Sequence, residues 1–386
     1  MRRRSSTILA VLPMLLVPFA NGSAAELAIT NTPVVPSPTA IEAQVVAEGL
    51  KNPWGLAFLP DGRLIVSERV GTLRIVTQDG KIGPPIAGVP EVVARGQGGL
   101  LDVALAPNFV SSGTLYLGFS EARPGGGNGT SVAKAKLVLD GDSGRLDGLS
   151  VIFRQEPAME STLHFGTRIV FAANGDLMFG LGDRGIARDE AQNPANHLGK
   201  VIRIKPDGQP SDLNPKRDGW DAKVWSIGHR NIQGAAIDPA TDQIWTVEHG
   251  ARGGDELNKP EAGKNYGWPI ITYGVEYSGL PIGDGLTAKD GLEQPVYFWK
   301  PSIATSGLAL YSGDLISGWK GNLLVGGLRG AHLQRLVLEN GRVIGHERLL
   351  EDLDERIRDV RQAPDGSVWV ATDDANGKLI RLRPKT

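Results

Sequence analysis

The 386-residue chain contains no cysteine, and this is the first of several informative absences. Without thiols it has neither a disulfide framework nor a cysteine nucleophile, and iron–sulfur and thiolate-zinc sites are excluded. Aromatic residues make up only 6% of the chain, and 41 basic against 43 acidic residues leave a net charge of −2. A nearly neutral chain has no global field that attracts nucleic acid or an anionic membrane, so neither is an expected partner. Any chemistry must come from carboxylates, imidazoles, guanidinium groups or a bound cofactor.

Turn-forming residues, in contrast, are abundant. The 51 glycines and 25 prolines make up about a fifth of the chain and are spread along its length. This composition is typical of many short strands joined by turns and disfavours long helices. A hydrophobic fraction of 41% with 22% charged residues is enough for a substantial core.

The first 25 residues have the pattern of a secretory signal peptide. Arginines at positions 2–4 precede an apolar stretch over residues 8–19, and small residues occupy positions 23–25. A membrane anchor is the alternative, but Pro13 and Pro18 interrupt an apolar stretch that is short for a bilayer. We therefore expect a periplasmic or secreted protein that does not insert into a membrane once the signal is removed.

Residues 26–40 are rich in proline and threonine, which is the composition of a linker. The ordered part of the chain is expected to begin near Ile41 and to form a single domain over residues 41–386.

One strand–turn–strand pattern recurs six times in that domain. Each copy has an apolar strand, a turn containing Pro, Asp, Asn or Gly, and a second apolar strand. The turns are about 47 to 73 residues apart, which leaves room for one four-stranded unit per copy. The copies are GLAFLPDGRLIV (55–66), DVALAPNFVSSGTLYLGF (102–119), RIVFAANGDLMFGLG (168–182), AAIDPATDQIWTV (235–247), LALYSGDLISGWKGNLLVGG (308–327) and DVRQAPDGSVWVATD (359–373).

An all-β, six-bladed β-propeller accounts best for these copies. A β-sandwich is the alternative, but a sandwich rarely needs six equivalent hairpins at this spacing. Closure of the ring is expected from a strand near residues 43–47 that completes the last blade beside residues 379–382.

The hairpin turns also predict which side chains meet. Residues equidistant from the centre of a turn face each other across the ladder. In the third copy the centre lies between Ala173 and Asn174, so His164 is expected opposite Asp183.

The fourth and sixth copies add polar residues at the same end of their hairpins. In the fourth copy, the predicted cross-strand pairs are Arg230 with His249 and Asn231 with Glu248. In the sixth copy, they are Arg356 with Asp374 and Arg358 with Thr372. Because the proline turns lie at the opposite end, these polar ends should converge around the central mouth of the ring. The predicted cluster is Gln97, His164, Asp183, Arg230, Asn231, Arg356 and Arg358.

This cluster has the residue types of a catalytic site for an anionic ligand. A histidine beside a carboxylate is a general base that its neighbour orients and makes more basic. Three arginines share this rim, and an anionic ligand is expected to pair with them. The glycine-rich segment 125–129 opens no helix and belongs to no βαβ unit, which argues against a phosphate-binding loop. A polycarboxylate is therefore the favoured ligand.

Seven segments also carry a resemblance that covers nearly the whole chain after the linker. The chain resembles the soluble PQQ-dependent aldose sugar dehydrogenases of the glucose/sorbosone dehydrogenase family. The resemblance implies a six-bladed propeller that holds pyrroloquinoline quinone (PQQ) and Ca²⁺ over its mouth and oxidises aldoses at the anomeric carbon to lactones. The segments are RGQGGLLDVAL (95–105), HFGTRIVF (164–171), GDRG (182–185), NHLGKVIRI (196–204), GHRNIQG (228–234), EHGARGGDELN (248–258) and KNYGWP (264–269).

The resemblance also implies a role for each matching residue. His164 would be the base that takes the proton of the anomeric hydroxyl while hydride passes to the quinone, with Asp183 as its support and Arg230 as the electrostatic partner. Gln97 and Asn231 would bind the edge of the cofactor. Its carboxylates would be held by Arg329, Arg356 and Arg358.

Calcium is expected at two places by the same resemblance. The cofactor-linked ion would take the carbonyls of Gly250 and Ala251, and a second, structural ion would lie near Glu256 and Tyr266. Family members usually have proline where Ala251 stands, so this loop is expected to be less rigid. Trp299 matches an aromatic residue near the sugar, but a place in the core is equally compatible with the sequence.

Two other functions stay open on the sequence alone. A propeller lactonase or other metal-dependent hydrolase would need a metal held by side-chain carboxylates in the central mouth. A non-catalytic sugar-binding propeller would need no pairing of His164 with Asp183. For the dehydrogenase, the sequence identifies neither the preferred sugar nor the electron acceptor.

Overall fold

All six predicted hairpins are present, and each contributes the first two strands of one sheet. The computed structural model describes residues 32–385, in which six sheets pack side by side as the blades of a β-propeller. The first strands of the blades contact one another around the central axis. The predicted all-β, six-bladed fold is confirmed.

The strands and short helices have the following bounds. Blade 1 contains β2 (Pro53–Phe58), β3 (Leu64–Glu68) and β4 (Thr72–Val76), and blade 2 contains β5 (Leu100–Leu105), β6 (Thr114–Ala122), β7 (Asn128–Asp140) and β8 (Ser143–Arg154). Blade 3 contains β9 (Ile169–Phe171), β10 (Leu177–Gly180), β11 (Lys200–Ile204) and β12 (Val224–Ile227), and blade 4 contains β13 (Ile232–Ile237), β14 (Ile244–Glu248), β15 (Asp255–Asn258) and β16 (Tyr297–Trp299). Blade 5 contains β17 (Thr305–Leu310), β18 (Leu323–Gly327), β19 (His332–Glu339) and β20 (Arg342–Leu349), and blade 6 contains β1 (Ile41–Leu50), β21 (Ile357–Gln362), β22 (Val368–Thr372) and β23 (Gly377–Pro384). One α-helical turn, α1 (Phe109–Ser112), and two 3₁₀ turns (Arg188–Gln192 and Glu351–Leu353) complete the described elements.

Burial explains why the second strands of the blades are apolar runs rather than alternating sequences. Strands β3, β14 and β22 are buried at every position, because neighbouring blades cover both faces of each sheet. The outer strand β20 instead alternates between exposed and buried residues at its start, as expected for an edge that faces solvent.

The ring closes where the sequence predicts. Strand β1 pairs antiparallel with β23, with Ala43 opposite Leu382 and Ala47 opposite Leu379. The last blade is therefore built from both ends of the domain, and this pairing keeps the first and sixth blades together.

The predicted linker needs a correction for its described part. The backbone N–H of Val35 donates to the carbonyl of His346 at 2.8 Å, and the hydroxyl of Ser37 donates to Glu347 at 2.6 Å. The indole N–H of Trp319 donates to Ser37 at 2.7 Å. Residues 32–38 therefore pack along β20 of blade 5, because their polar groups find partners on that strand. The predicted signal peptide at residues 1–25 lies outside the described residues.

No helix within residues 32–385 is long and apolar enough to span a bilayer.

A β-bulge interrupts the first strand of five blades near its beginning. The register shifts occur in β2, β5, β13, β17 and β21. A bulge inserts one unpaired residue and redirects the side chains before it. The beginning of each of these five strands thereby departs from simple alternation, at the end of the hairpin where the polar cluster is expected.

Four charged side chains join blades across the axis. Arg168 donates to Asp102 of β5 at 2.7 Å and lies 3.1 Å from Asp359 of β21, and all three side chains are fully buried. Arg361 contacts both carboxylates at 3.2 Å. Two positive and two negative groups therefore balance one another in the interior.

The same carboxylates also bind backbone groups of other blades. Asp102 accepts the N–H of Ile169 at 2.7 Å, and Asp359 accepts the N–H of Leu56 at 3.0 Å. The network therefore connects blades 1, 2, 3 and 6 around the axis.

Replacement of Asp102 by Asn is expected to destabilise the protein strongly. The change leaves Arg168 buried with one carboxylate fewer, and breaking a buried ion pair from one side typically costs about 3–5 kcal/mol. Thermal and denaturant unfolding would measure the loss. The matched control is Asp147→Asn, since Asp147 pairs with Arg145 on the surface, where such a pair contributes about 1 kcal/mol or less. Equal effects of the two substitutions would contradict a structural role for the network.

Candidate active site at the mouth of the propeller

His164 and Asp183 meet at the mouth, as the hairpin rule predicts. The Nδ1 atom of His164 lies 2.5 Å from Oδ1 of Asp183, and both residues are buried. The backbone N–H of Gly185 donates to the same carboxylate at 2.7 Å, and the indole N–H of Trp268 donates to Oδ2 at 2.8 Å. With Nδ1–H donated to Asp183, the Nε2 atom of His164 keeps the lone pair that can accept a proton.

The surroundings set the charge states of this pair. Burial lowers the pKa of His164, and the nearby Arg230 lowers it further, against the opposing hydrogen bond from Asp183. Burial tends to raise the pKa of Asp183, but the hydrogen bond with His164 and the positive charge of Arg230 lower it overall. The pair therefore consists of a neutral imidazole and an ionised carboxylate near neutral pH.

Gln97 supports the backbone of the histidine from the second blade. Its side-chain oxygen accepts the N–H of His164 at 2.8 Å. His164 has a left-handed backbone conformation with φ of 49°, which a non-glycine residue adopts only when its surroundings hold it there. This hydrogen bond is one such constraint.

Arg230 and Asn231 lie at the mouth but not in the predicted register. The guanidinium of Arg230 donates to the carbonyls of His249 at 3.1 Å and Gly250 at 2.5 Å. It is Asn231, not Arg230, that pairs with His249, through the N–H of His249 at 3.1 Å. The predicted pairing of Asn231 with Glu248 is also wrong, because the turn between β13 and β14 is centred one residue later than predicted, and Glu248 lies opposite Ile232.

Arg356 and Arg358 are not the unpaired cations that the sequence suggests. Both donate to one carboxylate oxygen of Asp373, at 2.9 and 2.8 Å respectively. The hairpin rule missed this partner because the bulge in β21 shifts the ladder by one residue, so that Asp373 pairs with Arg356. Burial tends to raise the pKa of Asp373, but the two guanidinium groups hold it well below its ordinary range.

Arg329 is the cation at the mouth that remains free within residues 32–385. It is exposed, and its guanidinium has no hydrogen-bond or ion-pair partner among those residues. It directly follows Leu328, which lines the central cavity and accepts a hydrogen bond from Arg356 at 3.4 Å.

The cavity at the mouth has a volume of about 180 Å³. Gln97, Arg356 and Arg358 of the predicted cluster line it directly, and three of the other polar lining residues are Gln233, His249 and Asp373. His249 and Asp373 lie on the predicted hairpins and Gln233 lies within GHRNIQG, but none of the three belongs to the predicted cluster. His164, Arg230 and Asn231 adjoin the cavity through the contacts described above.

Several polar atoms at the mouth are buried without a partner in the described part of the chain. They are Nε of Arg230, Nδ2 of Asn231, Nε2 of His249 and Nε of Arg358. Burial, and then Arg230 and Arg358, lower the pKa of His249 to about 3, so this imidazole is neutral. A buried polar atom without a hydrogen bond costs about 1–3 kcal/mol, so a ligand with several acceptor oxygens would stabilise this arrangement.

The loop after β14 offers backbone carbonyls for a cation. A side chain cannot be accommodated at Gly250, because a Cβ there would lie 2.2 Å from the carbonyl oxygen of Gly253. Buried Asp255 accepts the N–H of Gly250 at 2.9 Å and the hydroxyl of Ser302 at 2.8 Å, which holds this loop in place. The carbonyl of Gly250 has a second lone pair besides the one that Arg230 uses, and Ala251 follows it in the same loop.

Glu256 and Tyr266 lie outside the mouth. Glu256 accepts a hydrogen bond from Asn258 at 3.1 Å, and burial together with Glu248 raises its pKa well above the ordinary range. The phenol of Tyr266 donates to the carbonyl of Lys259 at 2.5 Å, so its side-chain oxygen is already engaged. Within residues 32–385 there is no group of three or more acidic or histidine side chains placed to hold a metal ion.

The structure favours the core interpretation of Trp299. This residue is 4% exposed, its ring packs edge-on against Tyr297 at 4.9 Å, and its N–H donates to Gln334 at 2.7 Å. A contact with sugar would need the indole to reach the cavity at the mouth, and Trp299 is not among the residues that line it.

Comparisons with known proteins agree with this architecture. The family model described as Glucose / Sorbosone dehydrogenase matches residues 50–381. The aldose sugar dehydrogenase YliI of Escherichia coli is 40% identical over 353 residues, covering 90% of this chain and 94% of the relative. A crystal structure of a glucose dehydrogenase is 44% identical with a TM-score of 0.84, covering 88% of this chain and 99% of that one. The PQQ-bound aldose sugar dehydrogenase of Streptomyces coelicolor is 29% identical with a TM-score of 0.75, covering 91% of this chain and all of that one (100%).

His164 is expected to stay uncharged at mildly acidic pH. Its pKa lies below the ordinary histidine value of 6.5, so the neutral form persists as the pH falls through that value. Titration of the imidazole by NMR, with His164→Gln to assign the signal, should give a midpoint below 6.5. Asp183→Asn removes the charge that raises this pKa and should move the midpoint lower still, whereas the remote Asp147→Asn should not move it. A wild-type midpoint at or above 6.5 would contradict the burial argument.

Proposed function

The chain belongs to the Glucose / Sorbosone dehydrogenase family, and we propose that it is an exported quinoprotein that oxidises aldose sugars at the anomeric carbon to lactones. The observation that carries this proposal is the oriented neutral histidine beside a cavity at which several buried polar atoms lack partners among residues 32–385. A base and an anion-binding mouth next to each other are what this oxidation requires.

The residues of the mouth fit PQQ as the cofactor. When bound, PQQ supplies an electrophilic quinone that accepts a hydride from the substrate. We assign its carboxylates to Arg329, Arg356 and Arg358, and its polar edge to Gln97 and Asn231. The unpartnered donors of Asn231, Arg230 and Arg358 match the many acceptor oxygens of such a molecule.

We assign the proton transfer to the Nε2 atom of His164. The sugar loses the proton of its anomeric hydroxyl to this atom, and the C–H bond of the same carbon releases a hydride, so a lactone forms. Asp183 stabilises the resulting imidazolium through the 2.5 Å contact at Nδ1. Trp268 and Gly185 keep the carboxylate oriented during this step.

Arg230 provides positive charge beside the reacting atoms. Its side chain is held by the carbonyls of His249 and Gly250, and its Nε lacks a partner within the described residues. A fixed cation of this kind stabilises negative charge that develops in the transition state.

We assign the cofactor-linked Ca²⁺ to the carbonyls of Gly250 and Ala251, and a structural Ca²⁺ to the region of Glu256 and Tyr266. Calcium prefers carboxylate and carbonyl oxygens, and both types occur in these segments. A cation near Glu256 would also offset the repulsion between its carboxylate and Glu248.

The enzyme must pass two electrons from each sugar to an acceptor that the sequence does not identify. The signal-peptide pattern at residues 1–25 supports export, so the acceptor should be available outside the cytoplasm.

The hydrolase and scaffold alternatives receive less support. The hydrolase needs a cluster of metal-binding carboxylates, and residues 32–385 contain no such group. The scaffold has no need for an oriented His164–Asp183 pair.

Reconstitution of the purified protein tests the proposed function directly. The metal-free apoprotein should gain dye-linked oxidation of aldoses when PQQ and Ca²⁺ are added together, with loss of activity after chelation. Absence of activity across a panel of aldoses, with hydrolysis of lactones instead, would favour the hydrolase.

His164→Gln is expected to lower turnover while leaving PQQ binding nearly intact. The substitution removes the base but leaves the arginines, and a general base typically contributes a factor of about 10²–10⁴ to the rate. Steady-state kinetics and a PQQ titration would separate the two effects. A variant that fails to bind PQQ would show that the role of His164 has been misassigned.

Arg358→Ala and Arg356→Ala are expected to have the opposite profile. Each loses a charge-assisted contact of about 1.5–3 kcal/mol, which corresponds to roughly 10- to 100-fold weaker PQQ binding. Turnover at saturating PQQ should stay close to wild type. The control is Arg145→Ala, whose side chain is 59% exposed, pairs with Asp147 and does not line the cavity. Unchanged PQQ affinity in both mouth variants would contradict the assignment.

A further inference from the structure

The floor of the mouth is apolar, in contrast to its polar wall. Trp54, Leu101 and Phe165 form a separate cluster whose members are 3%, 1% and 2% exposed, and all three line the central cavity. None of them belongs to the cluster of polar residues assigned above. A ligand in this cavity therefore meets donors around its edge and an apolar surface beneath it.

Each aromatic ring of the floor has a buried guanidinium group over one of its faces. The Cζ atom of Arg168 lies 4.2 Å from the ring centroid of Trp54, and that of Arg184 lies 3.8 Å from the centroid of Phe165. A cation at this distance over an aromatic face is attracted to it. The rings therefore have defined positions before any ligand binds.

The two arginines are themselves held rigidly. Arg168 is neutralised by Asp102 and Asp359 in the axial network. Arg184 donates to the carbonyls of Leu163 at 2.9 Å and Ser161 at 2.7 Å. Because both guanidinium groups are held by these contacts, neither can move to bind a ligand in the cavity. They affect ligand binding only by positioning the aromatic rings that they contact.

The indole N–H of Trp54 is available to a ligand. Five of the eight tryptophans donate their N–H to a protein acceptor. Within residues 32–385, Trp54 has no such acceptor. The guanidinium of Arg358, at the wall of the cavity, lies 5.9 Å from its ring centroid. Trp54 therefore packs with the apolar residues of the floor and also lies near a cationic residue of the wall.

We propose that Trp54, supported by Arg168, is the platform on which the planar ring system of the quinone cofactor stacks. This inference rests on the proposed function and adds to it a residue that contacts the flat face of the cofactor rather than its edge. A flat conjugated molecule with acidic groups at its edge matches an aromatic floor inside a cationic wall. The support from Arg168 means that the axial network holds the platform in place.

Equilibrium PQQ binding by the full-length protein, in the presence of Ca²⁺, tests the proposal. The variants are Trp54→Phe, which keeps an aromatic ring, and Trp54→Leu, which keeps an apolar side chain without one. The matched control is Trp369→Leu in blade 6, because Trp369 is also buried, at 1% exposure, and lies outside the mouth. PQQ affinity is measured from the absorbance change of the cofactor, and the melting temperature of each variant is recorded without it.

Trp54→Leu should bind PQQ roughly 3- to 10-fold more weakly, because an aromatic pair contributes about that factor beyond apolar burial. Trp54→Phe should recover most of the affinity. Trp369→Leu should lower the melting temperature and leave the affinity unchanged. If Trp54→Leu fails to fold, the comparison of Trp54→Phe with wild type still tests the platform role. A platform predicts that the absorption band of bound PQQ shifts when the ring beneath it changes.

The outcomes separate this inference from the proposed function. If wild type binds PQQ and both Trp54 variants bind it with the same affinity and the same spectrum, the platform is wrong and the dehydrogenase proposal stands. If Trp54→Leu and Trp369→Leu weaken binding equally, Trp54 acts only through stability, which also overturns the platform. If wild type does not bind PQQ at all, the proposed function fails and the platform fails with it.

Discussion

The balanced charges at the axis are the interaction on which the rest of the propeller depends. Arg168 is fully buried, and an isolated cation in that position would be prohibitively costly. Asp102 and Asp359 offset the cost only because they approach from different blades and also accept backbone N–H groups. The network therefore forms only when the ring is assembled with the correct neighbours. It links the geometry of the whole fold to the floor of the mouth, where Arg168 contacts Trp54.

The recurring bulges explain how one repeated hairpin produces a site with different residues in each blade. A regular first strand would alternate its side chains between the two faces of the blade. An extra residue near the beginning of the strand breaks that alternation. In β5 and β21 the shifts include Asp102 and Arg358, one in the axial network and one at the wall of the cavity. Fold and site are thus consequences of the same local irregularity.

Most of the fold was predictable from the sequence, because strand and turn signals are local and recur six times. The ring closure at Ala43–Leu382 followed from the same pattern. The contact of His164 with Asp183 was also predictable from turn position. The pairing of Arg230 was not, because the turn between β13 and β14 is centred one residue later than its sequence indicates. The pairing of Arg358 was not either, because a bulge leaves no signal in the apolar pattern and moves the register by one residue. For that reason Asp373 was missed, although it stands one position from the residue that the hairpin rule selected.

Asp373 explains how several arginines can share one mouth before a ligand arrives. The guanidinium groups of Arg356 and Arg358 would repel each other if nothing lay between them, and a single carboxylate that binds both removes most of that repulsion. One negative charge cannot neutralise two positive ones, so the wall remains attractive to an anion. The Nε of Arg358 is also left without a partner in the described residues, which reserves a donor for the ligand. Asp373 therefore holds the cationic wall in its binding geometry without saturating it, and an acidic ligand completes the balance that the protein leaves open.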